Sequence, residues 1–346
     1  MNAAVWRGRR VLVTGHTGFK GAWLKLWLER LGADVHGLAL EPPTTPSLHA
    51  LVGGQNAEPI DVRDGERVAA RVREVEPEVA FHLAAQALVR PAFTDPVGTY
   101  AVNVLGTVNV LEALRHSPSV RAVVVITSDK VYAPDEKGRP HAEAATLGGV
   151  EPYSASKAAA ELAAAAYRAG YFDRSVGLAT ARAGNVIGGG DWAVDRVVPD
   201  VVRAIERSEP VVLRHPQALR PWQHVLEPLH GYLLLAERLL DDPGSAPGSL
   251  NFGPDGAAPV AEVVERLSAG FGGRPGWRQD EAAQHVPETR ALRLDATLAR
   301  ETVGWRPVLD LSETLDWTVD WYRGYFEGGN ARERTLRQIA GYEERL

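Results

Sequence analysis

The chain has 346 residues, a formal net charge of −6 and a sequence pI of about 6.0. It contains no cysteine and five lysines, so that 33 of its 38 basic residues are arginines. Without cysteine there is no disulfide framework, no zinc–thiolate site and no thiol nucleophile. The mildly acidic charge, with no basic block, gives no electrostatic footprint for nucleic acid or an anionic membrane surface.

The N-terminal sequence MNAAVWRGRRVLVTG lacks the apolar core and cleavage site of a secretory signal peptide. No uninterrupted apolar run approaches the roughly 20 residues that a membrane span needs. We therefore expect a soluble cytoplasmic protein that does not associate with a membrane. The ten histidines show no metal-ligand spacing, so that no metal site is predicted.

Short apolar runs alternate with helical patterns through the first half of the chain. The runs predict strands over residues 11–14, 35–40, 79–83, 122–127 and 177–181, and the intervening patterns predict helices over 23–31, 107–114 and 153–167. The run Ala-Val-Val-Val-Ile-Thr at 122–127 is typical of a strand buried on both faces of a parallel sheet. The alternation predicts an α/β fold with a doubly wound parallel sheet of Rossmann type.

Beyond about residue 185 the pattern changes, because Pro and Gly become frequent and Arg and aromatic residues occupy loops. We expect a Rossmann domain over residues 1–185, to which the chain returns within 225–248 through a helix over 227–240. Residues 186–346 are expected to form a smaller C-terminal α/β domain that binds substrate. The last helix is predicted over 309–325.

A glycine-rich turn, Thr-Gly-His-Thr-Gly-Phe-Lys-Gly, lies between the first predicted strand and the first predicted helix. Its glycines permit a tight turn, a close approach of the backbone to a pyrophosphate and close packing of helix on sheet. The helix N-terminus then points its free N–H groups at the anion. The turn predicts a dinucleotide site in which the cofactor contacts are Gly15, Thr17, Gly18, Phe19, Lys20 and Gly21.

The end of the second strand, where such sites place an acidic residue for the ribose hydroxyls, is ambiguous. Ala39 occupies the expected position, and Glu41 takes the role if the turn is shifted. No Arg follows this strand to hold a 2′-phosphate, which favours NAD over NADP. Asp61 and Val62 follow a plausible third strand, and they either meet the adenine edge or belong to an ordinary loop.

Two groups of residues have the types that proton transfer requires. Tyr153 and Lys157 are four apart, so that they share a helical face, where the cation lowers the pKa of the phenol and makes it a base. Thr127, Asp129 and Lys130 follow the buried strand at the sheet edge where ligands bind in open α/β folds. The alternatives are a surface Tyr–Lys pair and a capped turn with a surface ion pair.

Six motifs together carry a resemblance to a known family. They are TGHTGFKG (14–21), HLAAQ (82–86), TSDK (127–130), PYSASK (152–157), ARAGNVIGGGDW (181–192) and RPWQHVLEP (220–228). They resemble the extended short-chain dehydrogenase/reductase superfamily and, more narrowly, the CDP-glucose 4,6-dehydratases. The likeness runs nearly end to end. It implies NAD as cofactor, with Leu83, Ala84 and Ala85 as further cofactor contacts.

The resemblance also implies a reaction. Tyr153 is the base at the sugar 4-hydroxyl, Lys157 tunes it and binds the nicotinamide ribose, and Thr127 positions the same hydroxyl. NAD⁺ takes the C4 hydride, Asp129 protonates the departing C6 hydroxyl as H5 is removed, and the hydride returns to C6. Most nucleotide-sugar 4,6-dehydratases carry a Glu as the C5 base where this chain has Lys130. Lys130 is then either that base or an electrostatic aid to another group.

The substrate contacts that the resemblance implies are Gln86, Asn103, Asn185, Arg196, Arg220 and His224. Trp222 either stacks on the cytosine or packs its loop, whereas Trp23, Trp27, Trp305, Trp317 and Trp321 are interpreted as core residues. The helices of Asn103 and Tyr153 pair across a dimer in many relatives, so that a homodimer is expected. A nucleotide-sugar 4-epimerase, a dehydratase of another nucleotide hexose and a non-catalytic NAD-responsive regulator remain alternatives.

Overall fold

The computed structural model describes residues 2–55, 58–135, 138–273, 276–280 and 292–346. The described helices are Ala3–Trp6, Phe19–Arg30, Leu48–Leu51, Gly65–Val75, Val89–Thr94, Pro96–Tyr100, Gly106–Arg115, Pro152–Gly170, Val197–Arg207, Leu226–Asp241, Val260–Gly270, Thr297–Val303, Leu311–Phe326 and Ala331–Glu343. A π-helix spans Ala101–Leu105, and a single 3₁₀ turn spans Asp129–Val131.

Six parallel strands form the central sheet. They are β1 (Arg10–Thr14), β2 (Asp34–Leu38), β3 (Val79–His82), β4 (Ala122–Ile126), β5 (Gly177–Arg182) and β6 (Ser249–Asn251), in the spatial order β6-β5-β4-β3-β1-β2. The chain winds outward from β1 to β2 on one side and from β3 to β6 on the other. This reversal opens a crevice at the carboxyl ends of β1 and β3. The predicted Rossmann-type fold is confirmed.

Three pairs of short strands lie outside the sheet. Val186–Ile187 pairs with Gln223–His224, Val211–Leu213 with Trp277–Gln279, and Leu219–Arg220 with Ala258–Pro259. They connect the loops of the second half of the chain, which cover the crevice.

Hydrophobic cores cover both faces of the sheet, because side chains alternate along each strand. Val11 and Val13 pack on one face and Leu12 on the other. Trp23 and Trp27 are fully buried in the first core, as expected from their spacing. Trp305 and Trp321 are fully buried there too, and Trp317 is partly buried against it.

The chain returns to the sheet after residue 225. Helix Leu226–Asp241 contacts β4 and β5, and the following strand β6 pairs with β5. The returning segment therefore continues to Asn251, three residues beyond the expected 225–248, because a three-residue strand leaves no recognisable apolar run. The final helices Leu311–Phe326 and Ala331–Glu343 complete the fold.

The predicted third strand before Asp61 was wrong. Among the described residues 58–60 none belongs to a strand, and the Ile60 N–H donates a 2.9 Å hydrogen bond to the Ala39 carbonyl. Pro59 has no N–H to donate, so that it interrupts a sheet ladder at this point. The segment nevertheless reaches the end of β2.

The helical stretch Pro96–Arg115 has 20 residues and a mean hydropathy of 1.2, which by length and composition alone would suit a membrane span. Polar residues such as Asn103, Asn109 and Glu112 interrupt it, so that it is not a continuous apolar run. In the folded chain this stretch contacts helices Gly65–Val75 and Pro152–Gly170, and its Leu111 and Leu114 are fully buried. One side of the stretch therefore packs on the body of the protein, while 44% of it in all is buried.

Candidate active site

A cavity of about 820 Å³ lies at the carboxyl edge of the sheet, below the loops of the second half of the chain. Most of the residues predicted for the site line it. They are Gly15, Thr17, Gly18, Phe19, Lys20, Gly21, Asp61, Val62, Leu83, Ala84, Ala85, Gln86, Thr127, Asp129, Lys130, Tyr153, Lys157, Asn185, Arg196 and Arg220. Asn103 and His224 do not line it.

The glycine turn forms a close cradle at one end of the cavity. Gly15 has φ +72°, and a Cβ there would lie 2.7 Å from the Ala84 nitrogen. A Cβ on Gly21 would overlap the Gly15 carbonyl. Gly18 is the N-cap of helix Phe19–Arg30 and supplies no side-chain cap, which leaves the N–H groups of the first turn directed at the cavity. These features fit the pyrophosphate of a dinucleotide.

Lys20 extends from this turn into the deep part of the cavity. Burial lowers the pKa of Lys20 to about 7, and the positive charges of Arg196 and Lys157 act in the same direction. Its ammonium lies 5.9 Å from the centre of the Tyr232 ring. The Thr17 hydroxyl donates to the Leu40 carbonyl at 3.0 Å, so that the turn is tied to the end of β2.

Asp61 lines the cavity near the end of β2, but it already has a cationic partner. Its carboxylate accepts hydrogen bonds from Arg63 Nε at 3.0 Å and Nη2 at 2.6 Å, which lower its pKa. Ala39, Glu41 and Arg63 line the same end. Sequence reasoning missed Arg63, although a basic residue two positions after Asp61 was a signal for such a pair.

The Tyr153 phenol is buried and contacts Ser128. Burial raises the pKa of Tyr153, while its side-chain hydrogen bond with Ser128 and the positive charge of Arg196 oppose that shift. The family resemblance predicts that Thr127 positions the sugar 4-hydroxyl; Thr127 lines the cavity, but its hydroxyl donates to the buried carboxylate of Glu161. Successive residues of extended backbone point to opposite sides, so that Ser128, and not Thr127, faces Tyr153.

Lys157 lies one helical turn after Tyr153, and its side chain is also buried. Its ammonium donates a 3.1 Å hydrogen bond to the Ile126 carbonyl at the end of β4. Burial lowers the pKa of Lys157 to about 8, and the negative charge of Glu161 opposes that shift. Ser128 and Arg196, rather than Lys157, are the largest influences that lower the pKa of Tyr153.

Asp129 is a buried acid between the two halves of the chain. Its carboxyl accepts hydrogen bonds from Asn185 Nδ2 at 3.1 Å and from Ser128 Oγ at 3.1 Å. Burial raises the pKa of Asp129, and the positive charge of the neighbouring Lys130 opposes that shift. A Cβ on Gly184 would overlap the Asp129 carboxyl, so that only glycine fits there. A buried carboxyl of this kind can donate a proton.

Two residues predicted as substrate contacts, Asn103 and His224, are buried outside the cavity lining. The Asn103 side chain is 1% exposed and bonds the Gln86 backbone N–H and C=O and the Ser156 hydroxyl. His224 is fully buried between the rings of Trp23 and Trp317. His224 lies in the short strand Gln223–His224, and its ring points into the core. Its position in the motif does not by itself show which way the ring points.

Gln86 lines the cavity, but its side chain is engaged elsewhere. Its amide donates to the Leu88 carbonyl at 2.9 Å and to Thr99 Oγ1 at 3.0 Å, and its oxygen accepts from the Leu88 N–H at 2.6 Å. These bonds hold the loop after β3. Trp222 also lines the cavity, and its indole N–H donates to the Ala258 carbonyl at 3.1 Å, which packs the loop.

Arginines line the side of the cavity formed by the second half of the chain. Arg220 is 4% exposed and donates to the Leu219 carbonyl, and Arg196 lies 4.0 Å from the Asp191 carboxylate. Sequence reasoning missed Arg90 and Asp195, which join at 3.1 Å across the cavity mouth. Arg90 lies in the short helix Val89–Thr94 and Asp195 in a turn 105 residues later, so that no local pattern connects them.

The parallel sheet, the glycine cradle and the buried Tyr153–Lys157 pair define a dinucleotide-binding enzyme of the short-chain dehydrogenase class. The model of the NAD dependent epimerase/dehydratase family matches residues 11–251. The chain belongs to this family.

Individual relatives extend the likeness over the whole chain. A CDP-glucose 4,6-dehydratase of Salmonella typhimurium is 43% identical over 348 residues, covering 97% of each chain. A UDP-glucose 4-epimerase of Mycolicibacterium smegmatis is 30% identical, covering 91% of this chain and 98% of the relative. The structure of Thermus thermophilus UDP-glucose 4-epimerase with NAD is similar at TM-score 0.78 and 27% identity, covering 91% of this chain and 99% of that one.

Proposed function

We propose that this enzyme dehydrates CDP-glucose to CDP-4-keto-6-deoxyglucose with NAD as a tightly held cofactor. The observation that carries the proposal is the buried, protonatable Asp129 held beside Tyr153 and Ser128 in one cavity. Oxidation and reduction at C4 alone need a base but no second acid, whereas loss of the C6 hydroxyl needs a proton donor. The 43% identity to a CDP-glucose 4,6-dehydratase supports this choice of reaction.

The residues for the cofactor are those of the glycine cradle and the loops beside it. Gly15, Gly18 and Gly21 would admit the pyrophosphate, and Leu83, Ala84 and Ala85 would lie along the dinucleotide. When bound, NAD supplies a reversible acceptor for hydride. Lys157 would bind the nicotinamide ribose, as its ammonium already lies at the end of β4 beside Tyr153.

Tyr153 would take the proton of the sugar 4-hydroxyl, and Ser128 would bind the same oxygen. Arg196 and Ser128 lower the pKa of the phenol against the effect of burial, which favours proton acceptance. Asp129 would give its proton to the C6 hydroxyl as water leaves. Asn185 holds the Asp129 carboxyl in place for this transfer.

Lys130 lines the cavity next to Asp129 and would act at C5. In its neutral form Lys130 would accept H5 itself, whereas in its charged form the ammonium would stabilise the enolate while a water molecule takes the proton. Loss of C5 deuterium exchange in Lys130→Met, with C4 oxidation retained, would support a role there. Unchanged exchange would remove Lys130 from the step.

Arg196 and Arg220 would bind the diphosphate, because the guanidinium fork matches phosphate oxygens. The cytosine base is assigned from the relative in Salmonella typhimurium, so that it needs a direct test. A screen of CDP-, dTDP-, UDP- and GDP-glucose should give the highest kcat/KM with the CDP sugar. A higher value with another nucleotide would reassign the substrate.

The decisive experiment is incubation of the protein with CDP-glucose and NAD⁺ in D₂O. The proposal expects a 4-keto-6-deoxy product with solvent deuterium at C5. A C4 epimer without solvent deuterium would instead identify a 4-epimerase. Absence of turnover on all nucleotide sugars would favour an NAD-responsive regulator.

We further propose that the enzyme is a cytoplasmic homodimer. An exposed apolar face supports the dimer, formed by Phe93, Val97, Tyr100, Leu105 and Leu162, which are 40–79% exposed. They lie on the helices around Asn103 and Tyr153. Light scattering should give twice the mass of 37.4 kDa. A monomeric mass for the wild type would refute the proposal, and Leu162→Arg should lower the mass to that of a monomer.

A further inference from the structure

A buried carboxylate that the proposed reaction does not use lies directly behind the active site. Glu161 is 3% exposed and accepts hydrogen bonds from Thr180 Oγ1 at 2.6 Å and from Arg182 Nε at 3.0 Å and Nη2 at 2.7 Å. The Thr127 hydroxyl also donates to it. The carboxylate therefore accepts four hydrogen bonds, two from Arg182 and one from each threonine, which is more than an ion pair with Arg182 alone would supply.

We propose that Glu161 is a positioning residue of this site, which fixes the Ser128–Asp129 turn through Thr127 and places a buried negative charge one helical turn from the Lys157 ammonium. The proposal concerns the protein's own side chains, and its role in turnover rests on the proposed function. Glu161 itself does not line the cavity, so that it acts through these neighbours.

The first connection runs through Thr127. Its hydroxyl is bound by Glu161, and its backbone N–H donates to the Ala181 carbonyl at 3.0 Å. Both ends of this residue are therefore fixed at the carboxyl end of β4. The next residues in the chain are Ser128 and Asp129, whose side chains face Tyr153 and Asn185. Movement of Thr127 would move both of them.

The second connection runs along helix Pro152–Gly170. Glu161 follows Lys157 by four residues, so that the two side chains lie on the same face. Burial disfavours the charged form of Lys157, and Glu161 is the group whose charge opposes this. The other charged or titratable groups that act on Lys157 or Glu161 are Lys20 on helix Phe19–Arg30, His82 on β3 and Arg182 on β5. Lys20 repels the Lys157 ammonium, whereas the Glu161 carboxylate attracts it.

Arg182 holds the carboxylate in this position from the far side. Besides Glu161 it donates to the Tyr132 hydroxyl at 2.8 Å and to the Glu143 carbonyl at 3.0 Å. The Tyr132 hydroxyl donates in turn to Asn251 Oδ1 at 2.6 Å, on the last strand of the sheet. The network thus joins the Tyr153 helix to β4, β5 and β6.

The test is a direct titration of Lys157 in Glu161→Gln. Because the chain has five lysines, labelled lysine side chains give few NMR signals, and Lys157→Met assigns the one of interest. We expect the Lys157 pKa to fall by about one unit or more in Glu161→Gln. Glu143→Gln is the matched control, since Glu143 accepts from the Asn251 N–H in the same network but is not next to Lys157. An unchanged Lys157 pKa in Glu161→Gln would overturn the proposal.

The same variants then report on turnover. In Glu161→Gln the alkaline limb of the kcat profile should move to lower pH, with kcat reduced about tenfold above pH 8 and KM unchanged. Glu161→Asp should restore part of the loss. A uniform fall in kcat at every pH, without a shift of the limb, would indicate a merely structural role. The titration needs no substrate, so that failure of the proposed reaction would not be confused with failure of this proposal.

Glu161→Gln leaves Arg182 as a buried, unpaired charge, which can prevent folding. The double variant Glu161→Gln/Arg182→Met removes both charges. It replaces the single variant in the Lys157 titration if Glu161→Gln does not fold. It should show the same lowered Lys157 pKa as the single variant. A wild-type pKa in the folded double variant would count against the proposal equally.

Discussion

The Asn185 side-chain amide donates a 3.1 Å hydrogen bond to the buried carboxyl of Asp129. Asn185 has φ 50°, a left-handed backbone conformation that Asn tolerates better than most residues. Its carbonyl accepts from the Gln223 N–H at 3.3 Å, where two short strands pair. The orientation of the acid that follows β4 is therefore set by a loop from a different part of the chain.

Asp129→Asn should separate the two halves of the proposed reaction. The variant keeps Tyr153 and Lys157, so that C4 oxidation continues, but the amide cannot supply the proton for the departing hydroxyl. We expect dehydration to fall at least 100-fold and the reduced cofactor to accumulate, followed by its absorbance after mixing with CDP-glucose. Asp316→Asn, on an exposed helix face, is the control. Dehydration at the wild-type rate would remove Asp129 from the mechanism.

Arg196→Gln should change the pH dependence of the reaction. Arg196 lowers the pKa of Tyr153, and the phenol must lose its proton before it accepts one from the sugar. Without this charge the phenol pKa rises, so that the acid limb of kcat should move to higher pH. The limb is measured at saturating substrate, because Arg196 is also proposed to bind diphosphate. An unmoved limb would show that Arg196 does not act on Tyr153.

Ser128→Ala tests whether Ser128, rather than Thr127, binds the sugar 4-hydroxyl. Ser128 contacts Tyr153, whereas the neighbouring Thr127 donates to Glu161. We expect kcat to fall about 100-fold in Ser128→Ala, because one hydrogen bond to the reacting oxygen and to the phenol is lost. Thr127→Ser retains a hydroxyl that can donate a hydrogen bond to Glu161, and it should keep at least half of the wild-type kcat. A larger loss of kcat in Thr127→Ser than in Ser128→Ala would instead assign this role to Thr127.

His224→Ala should weaken the fold and leave substrate binding unchanged. The His224 ring is fully buried between Trp23 and Trp317, and its removal leaves a cavity. We expect a loss of about 3 kcal/mol in the free energy of unfolding, measured in urea, with KM within twofold of the wild type. Arg220→Ala, which removes a cavity-lining cation, should raise KM instead. A large rise of KM in a stable His224→Ala would place His224 back among the substrate contacts.

Glu227 should make stability depend on pH. Its buried carboxyl accepts from the Leu309 N–H at 2.7 Å and from the Tyr342 hydroxyl at 2.7 Å, and burial raises its pKa from 4.5 to about 7. The native state therefore binds this proton more tightly than the unfolded chain, so that the free energy of unfolding falls as pH rises from about 4.5 to about 7. The full difference is about 3 kcal/mol.

Glu227→Gln removes this titration. Its free energy of unfolding, relative to that of the wild type, should rise by about 3 kcal/mol between pH 4.5 and pH 8. Urea unfolding at several pH values measures this difference and cancels the contributions of the buried histidines. Parallel curves for the two proteins would show that Glu227 does not titrate in this range.

The sequence by itself determined the fold class and most of the site's membership. Alternating apolar runs and helical patterns specify a parallel sheet, and a glycine turn after the first strand specifies where an anion approaches. Tyr153 and Lys157 share a helix, so that their proximity follows from spacing alone. Asp129 and Lys130 could be placed at the carboxyl edge of the sheet because they directly follow β4 in the chain.

The tertiary structure alone decided which way each side chain points. Thr127 and Ser128 are neighbours in the chain, but one binds Glu161 behind the site and the other contacts Tyr153 within it. His224 follows the cavity-lining residues Arg220 and Trp222 in the chain, and yet its ring fills the core between two indoles. The orientation of each side chain depends on partners from distant segments of the chain. Those partners come together only when the helices pack on the sheet. No periodicity in the sequence records them.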